Sequence, residues 1–152
     1  MKQLHNLSKL TLSVRALRTD NLNHLSVLEA LFSLTFLYRG KELDRETSAI
    51  LAENKLATGG EITVPPNGFK SLKLFRLFAP LLPLMRFSTN AMQHVERLDL
   101  RYSMLEGLFG AENIERLKEV HFTSNYEAGK DLMTEAIMSQ MKNAGKTIIL
   151  HQ

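Results

Sequence analysis

The 152-residue sequence contains no cysteine and no tryptophan. Without cysteine there can be no disulfide and no thiolate metal site, and the chain is expected in a reducing compartment, the cytoplasm. A strong charge of one sign is also lacking. Lys and Arg number 19 against 16 Asp and Glu, a formal net charge of +3. The basic residues are spread along the chain, which reads as a solvated surface and not as a nucleic-acid footprint. Long apolar runs are missing too. The most apolar segment, Leu72 to Phe87, is interrupted by Lys73, Arg76, Pro80, Pro83 and Arg86. That is too often for a membrane span, so it reads as packed core plus loop. The N-terminus has no unbroken apolar stretch of the signal-peptide kind.

Several chemistries are excluded in the same way. Gly145-Lys146-Thr147 looks like the end of a phosphate-binding P-loop, but Gln140 stands where its first glycine belongs and no helix can follow. His5, His24, His94, His121 and His151 have no metal-ligand spacing. No Gly-x-Ser-x-Gly elbow or glycine-rich dinucleotide fingerprint occurs. The expectation is no cofactor, no metal and no enzyme.

What is present is leucine at a rhythm. Leu4, Leu7, Leu10 and Leu12 recur 24 residues on as Leu28, Leu31, Leu34 and Phe36. The frame returns as Phe69, Leu72, Phe75 and Leu77, then as Met92, Val95, Leu98 and Leu100, and again as Ile114, Leu117, Val120 and Phe122. Ile148 and Leu150 form a weaker last copy. The spacing of three marks an arched approach, and the spacing of two marks a strand with alternating faces. Periods of about 22–24 with this core predict an α/β leucine-rich-repeat solenoid. It would carry a short-stranded parallel sheet on the concave face, an irregular convex side, and a C-terminal helix plus strand. One domain over 1–152 is expected, in five to six coils.

Two segments break the rhythm. An insertion over about 39–61 has a weak helical stripe, Leu43, Ile50 and Leu51, before Gly59-Gly60; Ile62-Thr-Val64 after it looks like a small strand. Near the C-terminus, Ser124 and Glu127 fit a capping box. They open a helix expected over about 126–143, with Leu132, Met133, Ala136, Ile137, Gln140 and Met141 at helical spacing and Gly145 as its stop. Met133, Met138 and Met141 are read as fillers of core gaps.

The register places Lys9, Thr11, Ser13, Ser33, Thr35, Leu37 and Leu74 on the outward sheet face. Arg76, Phe78, Arg97, Asp99, Arg101, Glu119, His121 and Thr123 follow them there. Arg97 would lie beside Glu119, and Asp99 between Arg76 and His121. Two readings stay open. One is a self-paired charge ladder; the other is a protein-binding patch formed by Arg76, Phe78, Arg97, Asp99, Arg101, Glu119 and His121, since arginine and aromatic residues are enriched at binding hot spots.

The segments "LSKLTLSVRAL", "GFKSLKLFRLF", "AMQHVERLDLR", "GAENIERLKEVHF" and the closing "EAGKDLMTEAIMSQMKNAGKTIILHQ" resemble the C-terminal leucine-rich-repeat region of plant intracellular nucleotide-binding leucine-rich-repeat disease-resistance proteins, the grass type most closely. The resemblance implies a non-enzymatic interaction module in pathogen recognition and defence. Its implied partners are a pathogen effector, a guarded host protein, or the receptor's own nucleotide-binding module. ATP or ADP binding does not carry over, because the chain has neither that module nor a P-loop. Arg15, Arg39, Pro80 and Ser103 stand where regular repeats carry a turn asparagine; only Asn125 fits. Leu4 and Leu7 enter the repeat with no capping element, so a fragment or truncated paralogue is expected, with self-association through that open coil. The alternatives are another intracellular repeat scaffold, such as a ubiquitin-ligase substrate adaptor, an enzyme whose site is a tight pocket of converging polar groups, or a nonfunctional remnant.

Overall fold

The computed structural model describes residues 6–14, 19–38, 61–79, 81–82, 84–102, 104–124 and 132–151. In chain order these form β1 (Lys9–Val14), α1 (Thr19–Leu25), β2 (Ser33–Tyr38), β3 (Glu61–Val64), β4 (Leu74–Phe78), β5 (Leu81–Leu82), β6 (Leu84–Phe87) and β7 (Arg97–Tyr102). There follow β8 (Met104–Leu105), β9 (Leu108–Phe109), a 3-10 turn (Ala111–Asn113), β10 (Glu119–Ser124), α2 (Leu132–Asn143) and β11 (Thr147–His151).

Six strands build one parallel sheet in the order β1-β2-β4-β7-β10-β11. Spatial order therefore follows chain order. The register aligns Leu12, Phe36, Leu77, Leu100, Phe122 and Leu150 in one row, and Leu10, Leu34, Phe75, Leu98, Val120 and Ile148 in another. These rows are the two-spaced positions of the repeated frame. Their central members are buried in a single apolar cluster, which Leu10, Leu12 and Ile148 join only in part because a terminal strand has one neighbour.

The three-spaced positions have a hydrogen-bonding reason. The N–H of Leu31 donates to the carbonyl of Leu28, Leu72 to Phe69, Val95 to Met92 and Leu117 to Ile114. Each pair closes a tight turn and drops both side chains into the core. Sheet entry is equally repetitive. The Ser8 carbonyl accepts the N–H groups of Phe32 and Ser33, that of Phe32 accepts Lys73 and Leu74, that of Lys73 accepts Glu96 and Arg97, and that of Glu96 accepts Lys118 and Glu119. Four carbonyls thus use both lone pairs to fix the start of the next strand.

Two corners share a left-handed backbone. Asn67 and Phe69 have φ of 60° and 54°, Asn90 and Met92 have φ of 66° and 47°, and the Asn67 N–H donates to the Asn90 carbonyl. Asparagine tolerates this region, whereas phenylalanine and methionine do not. Their strain is offset because both side chains are fully buried.

Opposite the six-stranded sheet, the expected irregular side carries further strands instead. β3, β6 and β9 form a parallel three-stranded sheet, and β5 pairs with β8. Ile62, Val64, Met85, Phe87 and Leu108 point from this second layer into the same core. The small strand expected at Ile62–Val64 is present as β3, but it belongs to this layer. The segment read as core plus loop carries β5 and β6 in addition to β4, the strand that the repeated frame predicts. α1 had no sequence-based expectation; it buries Leu22, and the Thr63 N–H donates to Thr19 Oγ1 at 3.1 Å.

α2 ends at Asn143, and its buried face is rotated from the expected stripe. Thr134, Ile137 and Met141 are buried and Met138 packs against the core, while Met133 and Ala136 are exposed. Thr134 fixes this phase through a hydrogen bond of 2.8 Å between its Oγ1 and the buried Tyr102 hydroxyl. At the helix end Gly145 adopts φ 84°, the Lys146 N–H reaches the Met141 carbonyl and the Gly145 N–H that of Lys142. This is a Schellman cap. Lys146, the lysine of the P-loop lookalike, donates Nζ–H to the Ile114 carbonyl at 2.6 Å. A Cβ at position 145 would meet nothing, so Gly145→Ala is expected to lower stability only by the left-handed backbone penalty, about 1–2 kcal/mol in urea unfolding.

The stripe Leu43, Ile50 and Leu51, the capping box at Ser124 and Glu127, Leu4, and the asparagine positions 15, 39, 80, 103 and 125 lie outside the described backbone or side chains.

Candidate functional site

The outward face of the six-stranded sheet is written by the residues between the core positions. Its first row reads Lys9, Ser33, Leu74, Arg97, Glu119, Thr147; its second Thr11, Thr35, Arg76, Asp99, His121, Ile149; its third Ser13, Leu37, Phe78, Arg101, Thr123, His151. Neighbours within a row lie about 4.8 Å apart. The register therefore puts Arg97 beside Glu119, and Asp99 between Arg76 and His121.

The side chains follow those adjacencies only in part: Arg76 pairs with Asp99, whereas Arg97 and Glu119 turn to other partners. Arg97 donates along its own strand to Asp99 Oδ2 at 3.3 Å, and Arg76 Nε approaches the same oxygen at 3.8 Å, beyond a good hydrogen bond. One carboxylate oxygen thus faces two guanidiniums, and the Nε atoms of Arg76 and Arg97 are enclosed without a hydrogen-bond partner. Glu119 turns away from Arg97 to His121, Oε2 to Nε2 at 3.1 Å.

His121 requires a correction. It was expected to be displayed on this face with the other six residues, yet it is only 6% exposed. The reason is His151 on the edge strand β11, whose ring stacks on it with centroids 5.1 Å apart and planes 11° from parallel. His121 Nδ1 and His151 Nε2 are 2.8 Å apart. With both rings neutral, one consistent assignment has His151 Nε2–H donating to His121 Nδ1, and His121 Nε2–H donating to Glu119. The pair closes one end of the face, with His121 buried beneath an exposed His151.

Arg101 behaves differently. Its guanidinium carbon lies 4.6 Å from the centre of the Phe78 ring, a cation–π contact that lays it across the neighbouring strand. Arg101 is exposed and Phe78 half-buried. Beside them stand half-buried Leu37 and Leu74. The accessible centre of the face is thus Arg76, Phe78, Arg97 and Arg101 with an aliphatic margin. Asp99 is recessed beneath the guanidiniums, its side chain 13% exposed.

A separate cleft of about 380 Å³ lies among the turns leading into β7 and β10, bounded by Ser88, Asn90, Gln93, His94, Asn113, Glu115 and Arg116. Sequence reasoning did not single it out, because its lining comes from turn residues with no motif. Among the described residues no group of three or more His, Asp or Glu could hold a metal ion, and no helix is long and apolar enough to cross a membrane.

The chain is similar to plant disease resistance proteins. Against disease resistance protein Pik-2 of Oryza sativa subsp. japonica it is 44% identical over 140 residues, covering 90% of this chain and 14% of that one. Against disease resistance protein PIK6-NP of the same subspecies it is 43% identical over 141 residues, again 90% of this chain, and 13% of the relative. The resemblance drawn from the sequence is therefore met by curated relatives, of which the chain spans about one-seventh of the length. No protein-family model matches the chain, and no solved structure does.

Proposed function

We propose that this chain is a leucine-rich-repeat solenoid unit, one domain over 1–152, that serves a plant immune receptor as a non-enzymatic protein-binding module in the cytoplasm. Its partner is a pathogen effector, a guarded host protein, or the receptor's own nucleotide-binding module. The similarity to rice disease resistance proteins supports the biological setting. The observation that carries the surface is the row structure: the core positions of the four central strands are spent on one interior, and most of the intervening positions remain available across adjacent strands. Arginine and a half-buried aromatic side chain stand at the centre of that face, and these are residue types enriched at the hot spots of protein interfaces.

Phe78→Glu tests this reading. Phe78 points outward and is only half-buried, so the change is expected to alter unfolding free energy by about 1 kcal/mol or less. Expressed in plant cells within the receptor that carries this region, the variant is expected to lose the defence response. Full response with Phe78→Glu, and its loss with Glu135→Lys on the exposed side of α2, would place the working surface elsewhere.

A further inference from the structure

Building on that reading of the face, we infer that the segment docking there is acidic. It would place carboxylates on Arg76, Arg97 and Arg101 and an apolar side chain against Phe78 and Leu37.

The argument begins with charge. Three guanidiniums and two carboxylates occupy the central strands of the face, in the rows of β4, β7 and β10. Glu119 is engaged by His121, and Asp99 meets Arg76 and Arg97 through a single oxygen. Arg101 has an aromatic ring under it and not a carboxylate. The face thus carries more fixed positive charge than its own acids can neutralise. Lys9, in the first row on edge strand β1, carries the same sign.

Geometry gives the site its shape. Arg101 leans from β7 over Phe78 on β4, toward the strand that also carries Arg76 two residues earlier. Its guanidinium is exposed and rests against the Phe78 ring, so less side-chain freedom is lost when an anion binds. Asp99 is too recessed to compete for a partner, but it orients Arg76 and Arg97. A carboxylate accepts two parallel N–H groups from one guanidinium. The Phe78 ring and Leu37, neighbours in the third row, offer an apolar shelf beside these donors. Acidic residues alternating with large apolar ones in an extended segment match both features.

The test uses the full chain and a fluorescein-labelled peptide, Glu-Phe-Asp-Leu-Glu, with three comparison probes. These are the same peptide with Lys for each acid, the same acids alternating with Gly, and a single-stranded oligonucleotide of equal charge. The acidic–apolar peptide is expected to bind in a salt-dependent manner. The basic peptide should not bind, and the glycine version should bind at least several-fold more weakly. Arg76→Gln with Arg101→Gln should weaken binding at least tenfold, and Arg101→Lys, which keeps the charge and loses the planar fork, should give an intermediate loss. Lys142→Gln, on the last turn of α2, should change nothing; a melting curve for each variant confirms folding. Equal binding of the oligonucleotide or the glycine peptide, or indifference to the arginine changes, would overturn the inference. If Phe78→Glu abolishes defence while Arg76→Gln with Arg101→Gln leaves it intact, the face still works as a surface but its partner is not acidic.

Discussion

Truncating Phe122 to alanine is expected to lower the unfolding free energy by about 3–5 kcal/mol, a large part of the 5–15 kcal/mol typical of a domain. Phe122 is fully buried. It stands in the row between Leu100 and Leu150 and meets the Tyr102 ring edge-on, with centroids 6.4 Å apart. Tyr102 in turn holds α2 through Thr134. The cavity would open where sheet and C-terminal helix meet, with rigid strands on each side that cannot collapse into it. Urea unfolding measures the effect. A loss below about 1 kcal/mol would show that the side chain does not occupy the interior row.

The second large effect is expected at Gly110, whose φ is 89°. A Cβ there would sit 2.3 Å from the Phe87 carbonyl oxygen, a backbone atom at the end of β6 that cannot swing aside. Two penalties combine: the left-handed conformation itself, about 1–2 kcal/mol, and the displacement of packed backbone, about 1–3 kcal/mol. Gly110→Ala should therefore lose about 2–5 kcal/mol, more than Gly145→Ala, where the space is open. Thermal or urea unfolding of the two variants side by side checks the ordering. Equal losses would mean that the turn at 110 can move away from β6.

The strands of the large sheet were legible because two signals coincide in them. Alternation at a spacing of two fixes which side chains face inward, and recurrence at 22–24 residues fixes which strands align. Leu98 and Val120 could thus be paired before any coordinates. The second layer left fainter traces. β9 has two residues and β6 four, too few for alternation to stand apart from an apolar loop. The phase of α2 was misjudged for a different reason. Leucine, methionine and alanine fit several stripes, and the deciding residue, Thr134, is polar and goes inside because Tyr102 offers it a partner. His121 was placed correctly on the outward row, but nothing local announced that His151 would cover it. That cover comes from 30 residues away.

The pairing of β2 with β4 has a practical consequence. Ser33–Leu37 aligns with Leu74–Phe78 without a register slip, although far more chain separates these strands than separates β4 from β7. Closing a longer excursion between two fixed points costs only about 0.6 kcal/mol for each doubling of its length. The sheet therefore tolerates length at this junction as it would not tolerate a changed leucine. A reporter, an epitope or a whole guest module spliced between Tyr38 and Glu61 should travel with the fold as cargo.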